Sequence, residues 1–378
     1  MACKGRHTPL WLKIQKEEIQ MRNLKRALSL ALAAIMLIGM MVVSASAASY
    51  NNLTDKDEIV NKDAVSMLVS LGIIEGKPDG SYGPTENVDR AQMAKMLSVI
   101  MNKGVDNSAL YQSVNSGLTD ITSNWAKGHI NYCYTTGIIA GRGNGKFDPS
   151  ATVTALEAAK MLLVAVGYDP KIEGFEGADW AINVSVRADE QGIFEGFTKD
   201  LSAPLNRDDA ALLIYNALDV EMIQSYTTNN YPIVYSDHRT ILSDKYGVIK
   251  VEGVVTANEW AILDDDTDTA LQEGKTRIYN PDGILSTTGN TAVAQDSSAN
   301  VKTQVFNVST PVDMLGKAVT MYVKKTTILA DSTVYGAPVV SDVNTVIETG
   351  EKVTGGDSKD DDSLAALLKG TGLATDKA

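Results

Sequence analysis

The sequence predicts a mixed α + β multidomain chain, in which an all-α repeat domain is followed by a small antiparallel β-domain. Three observations predict it. A helix–loop–helix unit recurs three times between residues 53 and 218. Helical spacing of apolar residues stops near Tyr226, and β-branched alternation replaces it from there on. The 378 residues suffice for two or three domains with cores of their own.

The repeat aligns on "LGIIEG" (Leu71 to Gly76), "TGIIAG" (Thr136 to Gly141) and "QGIFEG" (Gln191 to Gly196). Seventeen residues before the first glycine stand Asp55 and Asp120; twelve before it stand Val60, Trp125 and Trp180. Twelve after it stand Pro84, Pro149 and Pro204, and eighteen after it Arg90 and Ala155. The third copy is shorter and reaches Arg207 after fifteen. The expected units are 53–103, 118–167 and 174–218.

Each unit reads as helix, turn-rich loop, helix. The first helix runs into a glycine suited to a left-handed C-terminal cap. The loops "KPDGSYGP" and "GRGNGKFDP" carry Pro-Asp-Gly and Asn-Gly turn chemistry. The second helix has an apolar stripe at i, i+3, i+4 and i+7: Met93, Met96, Leu97 and Ile100 in the first copy, with Ala158, Met161, Leu162 and Ala165, then Ala210, Leu213, Ile214 and Ala217. A pair of short helices cannot bury such a stripe alone. Three pairs can, which predicts one helical domain of pseudo-threefold symmetry.

The start of the second helix poses a question. Asp89, Thr154 and Asn206 are good N-caps, and Gln92, Glu157 and Asp209 follow three residues later, a capping box or a near variant. Capping leaves the next position unexplained. An arginine in the first helical turn, as at Arg90 and Arg207, opposes the helix dipole by roughly 0.3–1 kcal/mol. One reading is an anion site, the guanidinium acting beside free helix N–H groups. The other is a salt bridge to a neighbouring unit.

The N-terminus reads as a targeting segment. From Met21 basic residues precede an apolar run that ends in Ala45-Ser46-Ala47, so residues 21–47 are expected to be a signal peptide and Ala48 the mature start. The codons possible for Lys16 to Met21 include a purine-rich ribosome-binding sequence before ATG, which makes residues 1–20 an expected translated leader. The chain carries 34 Lys+Arg against 47 Asp+Glu, a net −13. Removing seven basic and two acidic residues with 1–47 leaves 27 against 45, a net −18. Such a balance argues against a nucleic-acid partner. Cys133 is then the one remaining cysteine, expected in buried packing and in no intramolecular disulfide. No second apolar span follows, so no transmembrane anchor is expected in the mature chain.

The pattern resembles the S-layer homology (SLH) family, whose modules run from an early Asp through Trp-Ala and Gly-Ile-Ile-x-Gly to a Thr-Arg-Ala-Glu motif opening the last helix. The matching residues are Asp55 and Asp120, Trp125-Ala126 and Trp180-Ala181, the three glycine motifs, and "DRAQ", "TALE" and "NRDD". The resemblance implies a three-pronged pseudo-trimer with grooves between neighbouring modules. Those grooves bind secondary cell-wall polysaccharide, often with pyruvate ketals, and so fix a secreted protein to the bacterial cell wall without a covalent bond. Carried over, the ketal carboxylate falls to Arg90 and Arg207, and Asp55, Asp120, Trp125 and Trp180 join them as candidate carbohydrate-binding residues. Ala155 silences the second copy, Val60 replaces a tryptophan in the first, and the third lacks the early Asp. At most two working grooves are therefore expected. The implied partners are the wall polysaccharide or a peptidoglycan-linked glycan, and other S-layer proteins.

The remainder, 226–350, reads as β-rich, with strands in "YGVIKVEGVVTANEWAIL", "KTRIYN", "TQVFNVS" and "KAVTMYVKK" and a long loop at "STTGNTAVAQDSSANVKT". Residues 351–378 read as a disordered tail. No cofactor, metal site or enzyme motif is expected: His129 and His238 lack ligand spacing, and "DDDTDT" (Asp264 to Thr269) reads as an acidic hairpin tip rather than a calcium loop. The leading expectation is a non-enzymatic surface protein. The alternatives are an SLH-anchored enzyme acting on envelope glycan from the β-domain, and an outer-envelope protein whose repeats bind peptidoglycan directly.

Overall fold

The computed structural model describes residues 50–263, 270–281, 302–324 and 333–341. The leader and signal segment, the Asp264–Thr269 run, most of the long loop and the tail lie outside the described residues.

Among the described residues the first part is helical: α1 (Lys62–Ser70), α2 (Arg90–Met101), α3 (Ser108–Tyr111), α4 (Lys127–Thr135), α5 (Ala155–Val166), α6 (Trp180–Glu190) and α7 (Arg207–Leu218). The helices that precede the glycine motifs end as their sequence predicts, with Gly72, Gly137 and Gly192 at φ +69°, +79° and +70°. The stripes of α2, α5 and α7 enter one core, and Met96 alone among their twelve residues is only half-buried. Packing between units is cyclic: α2 lies on α4, α5 on α6, and α7 on α1. Just before α2, α5 and α7, three backbone bonds close a ring: Val88 N–H to Leu205 O (2.8 Å), Leu205 N–H to Val153 O (2.8 Å), and Val153 N–H to Val88 O (2.9 Å). The ring spends donors and acceptors that burial would otherwise leave unpaired.

The second part is β: a hairpin of β1 (Ile223–Tyr226) and β2 (Pro232–Val234), then β3 (Val248–Ala257), β4 (Thr276–Tyr279), β5 (Thr303–Phe306), β6 (Ala318–Lys324) and β7 (Val334–Val340). The last five form one antiparallel sheet in the order β5-β4-β3-β6-β7. Alternation divides its faces. Ile249, Val251, Val319, Met321 and Val323 enter a core of the sheet's own, with Ile278 and Phe306. Val248 and Tyr322 point the other way, into the helical core.

The sheet is seated on the helices. Tyr322 meets Tyr215 of α7 edge-on at 5.7 Å, Lys250 pairs with Asp219 at 3.4 Å, and β7 runs beside α1. Lys324 Nζ donates to the carbonyl of Tyr246, which ends a π-turn (Leu242–Tyr246). Among the described residues no helix is long and apolar enough to cross a membrane.

Candidate ligand seams between helix pairs

The caps form as the sequence predicts. Asp89 accepts from Gln92 N–H at 2.7 Å, and Gln92 Oε1 accepts from Asp89 N–H at 3.0 Å, completing a capping box. Thr154 and Glu157 repeat it. Asn206 accepts from Asp209 N–H at 2.8 Å without the return bond, and the Asp209 carboxylate pairs with Lys199.

The neighbouring N–H groups are not free, which corrects the first premise of the anion reading. Arg90 N–H and Ala91 N–H donate to the carbonyls of Ala151 and Pro149, both at 2.9 Å. Arg207 N–H and Asp208 N–H donate to Glu86 O (2.9 Å) and Pro84 O (3.1 Å). Each helix start is thus satisfied by the backbone of the adjacent unit, leaving the guanidinium alone to meet an anion.

The guanidinium groups also cross the seams. Arg90 donates Nε to Phe147 O and Nη2 to Ala140 O, each at 2.8 Å, and lies 4.4 Å from the centroid of the Phe147 ring. Arg207 donates Nε to Tyr82 O (2.8 Å) and Nη2 to Glu75 O (3.2 Å), 4.7 Å from the Tyr82 ring centroid. The salt-bridge reading is therefore replaced as well. The acceptors are backbone carbonyls, and among the described residues no carboxylate lies within 4.0 Å of either guanidinium.

Asp120 and Asp55 hold the same loops from the other side. Asp120 accepts from Phe147 N–H (3.0 Å) and Asp148 N–H (2.8 Å); Asp55 accepts from Tyr82 N–H and Gly83 N–H, both at 2.7 Å. Desolvation pushes these carboxyls up, but the N–H bonds outweigh it and hold both below the usual aspartate range. One residue's N–H goes to the aspartate and its C=O to the arginine, twice over. Where the second helix pair meets the third, both partners are missing: Phe175 stands at the aspartate offset and Ala155 at that of arginine. There Leu156 N–H reaches Leu201 O at 3.1 Å, and Lys160 Nζ reaches Phe175 O at 2.5 Å.

The candidates distribute unevenly over the seams. Trp125 is 57 % exposed, on the unit that Arg90 grips, its ring edge-on to that of His129 with centroids 6.3 Å apart. Trp180 is half-buried with Lys160 Nζ 5.5 Å from its ring centroid, in the seam that has no arginine. Arg207 faces a unit carrying the 82 % exposed Val60 instead of tryptophan. In that seam Asp208 accepts from Asn61 N–H (3.2 Å) and Asn61 Nδ2 (3.0 Å), and burial raises its carboxyl above the usual range.

Sequence reasoning missed a buried pair between α2 and α4, Ser98 Oγ and His129 Nδ1 at 2.6 Å, with Asp106 3.6 Å from Nε2. Burial holds the imidazole below its ordinary pKa. Cys133 is buried as expected. Among the described residues no group of three or more His, Cys, Asp or Glu could hold a metal ion.

Comparison with known proteins places these seams in context. Residues 52–94 and 117–159 match the family model of the S-layer homology domain. The chain is 28 % identical over 270 residues to a cell surface protein of Thermoanaerobacter kivui, covering 71 % of this chain and 32 % of that protein. It is 34 % identical over 113 residues to an S-layer protein of Bacillus licheniformis, covering 30 % of this chain and 12 % of that one. An amylopullulanase of Thermoanaerobacterium thermosulfurigenes is 30 % identical over 172 residues, covering 42 % of this chain and 9 % of the enzyme. The chain spans a third or less of the length of these relatives. Residues 52–94 and 117–159 are S-layer homology segments, and the chain is a secreted cell-surface protein.

Proposed function

We propose that this chain fixes a secreted surface protein to the bacterial cell wall by binding an anionic secondary cell-wall polysaccharide, pyruvylated in the leading version, at the seams between its helix pairs. In this reading the pair at 174–218 is a divergent third SLH module, and the three modules form a pseudo-threefold domain around the Val88, Val153 and Leu205 bond ring. The observation that carries the reading is an arginine with no carboxylate partner at two seams of an acidic chain. A buried or half-buried cation normally has a counter-charge, and a sugar carboxylate supplies one. The chain performs no catalytic step, needs no cofactor, and its sheet presents a surface to neighbouring S-layer proteins.

Co-sedimentation with purified sacculi tests this. The full chain should pellet with sacculi that carry their polysaccharide and stay in solution with sacculi stripped of it. Retention after stripping overturns the polysaccharide as ligand and favours direct binding to peptidoglycan. The alternative is an anchored enzyme of envelope glycan, with which similarity to an amylopullulanase is compatible; release of reducing ends from the same sacculi would establish it.

A further inference from the structure

The two arginine seams are alike in sequence and differ in access. Arg90 keeps 4 % of its surface exposed, whereas Arg207 is only half-buried and its Nη2 bond to the Glu75 carbonyl lies at the surface. Nη1 of both arginines has no protein partner among the described residues, so access to solvent is what separates them.

The difference has a local cause five residues after each motif's first glycine. That position holds Arg142 in the unit gripped by Arg90 and Lys77 in the unit gripped by Arg207. Arg142 belongs to the loop whose ends, Ala140 and Phe147, Arg90 holds by their carbonyls. Its Nη2 is tied to Glu157 Oε1 at 2.9 Å, and its Nε stands 3.9 Å from Asp148. Glu157 is brought there by α5, whose approach strand bridges Asp89 through Thr152. A second cation and its ion pair therefore stand in the loop that Arg90 holds, close enough for the Arg142 charge to act on the Arg90 guanidinium. At the other seam Lys77 turns to Glu86 of its own unit, and α2 carries Gln92, bonded into its cap, where α5 carries Glu157.

We infer that the two seams have parted in role: the Arg207 seam, between the third and first helix pairs, takes the carboxylate of the wall glycan, and Arg90 is a locked structural tie. The inference rests on the anchoring reading above and narrows it to one glycan per chain. A guanidinium that already spends Nε and one Nη2 proton on carbonyls still presents Nη1 to a carboxylate.

Arginine footprinting on the full chain tests this without a substitution. Phenylglyoxal should label Arg207 and spare Arg90 in the free protein. Saturating polysaccharide released from purified sacculi should slow labelling of Arg207 at least fivefold and leave Arg90 unchanged. Titration calorimetry with a methyl N-acetylhexosaminide bearing a 4,6-pyruvate ketal should give one site per chain. Arg207→Gln should weaken it at least tenfold, and Arg207→Lys, which keeps the charge and part of the tie, at least threefold, with melting curves confirming that both variants fold. Two sites per chain, or glycan protection of Arg90 with Arg207 unaffected, overturns the inference and leaves the anchoring reading standing. Failure of the unmodified chain to bind either probe or the sacculi overturns both.

Discussion

Arg90 holds Phe147 by its ring and by its backbone at once, the guanidinium 4.4 Å from the ring centroid and Nε 2.8 Å from the carbonyl of a residue 57 positions away. Asp120 completes the grip by accepting the Phe147 N–H. The residue that first looked like a misplaced cation at a helix start is the clasp between two helix pairs.

Arg90→Ala should therefore destabilise the helical domain by about 3 kcal/mol, since it leaves the carbonyls of Phe147 and Ala140 without their charged donor. Arg90→Lys should recover only part, because an ammonium cannot reach two carbonyls in one plane. Urea unfolding of each variant measures the loss; a cost below about 1 kcal/mol for the alanine would show that the tie contributes little.

Asp120→Asn and Asp55→Asn should each cost about 1–3 kcal/mol, because a carboxylate accepting two N–H groups becomes an amide that accepts fewer. In the fold both carboxyls lie below the ordinary aspartate value of 3.8. Their contribution is present above that pH and is lost as pH falls through the depressed folded values. Acid unfolding followed by circular dichroism should show the double variant with a shallower acid limb than the parent.

His129 titrates in a separate window. Burial, helped by Lys95 and opposed by Asp106, holds its imidazole below the ordinary histidine value of 6.5, in a site closed by Ser98 and the Trp125 ring. The unfolded chain takes up a proton that the folded chain resists. Stability is thus full above pH 6.5 and declines as pH drops toward the folded value. Melting temperature measured between pH 7.5 and 5.5 should fall for the parent and stay level for His129→Gln.

Cys133 should be inert in the folded protein. The thiol is fully buried, burial pushes its pKa far up, and its Sγ lies 3.4 Å from the carbonyl of Ala94. In the chain lacking residues 1–47, and hence Cys3, a thiol reagent should titrate no group until urea opens the α2–α4 contact, and rapid native labelling would contradict the packing.

Much of the fold was legible because periodicity and punctuation write themselves into side chains. The caps at Asp89, Thr154 and Asn206, the glycines after α1, α4 and α6, and the apolar stripes all stand where the repeat offsets place them. The strands β3 to β6 fall within the alternating runs. The short α3, the β1–β2 hairpin, the π-turn and β7 went unread: each is brief, and each owes its shape to a neighbour. The candidate site was legible in its cations and hidden in their partners. Arg90 and Arg207 bond to backbone carbonyls of residues 50 to 132 positions away, and a carbonyl has no letter of its own in a sequence. The covariation was on view, since Ala155 and Phe175 replace arginine and aspartate at one seam together. Its meaning needed the knowledge that both grip one loop.

The seating of the β-sheet has a mechanical consequence. Tyr322 bears on Tyr215 of α7 and Gly336 rests on the Met67 backbone of α1, so the sheet is fastened to the two helices that flank the Arg207 seam. Shear on whatever the sheet carries is delivered straight to α1 and α7, where Asn61 and Asp208 hold the helices together. In the proposed anchoring role, load on the sheet and hold on the wall would meet at that single joint.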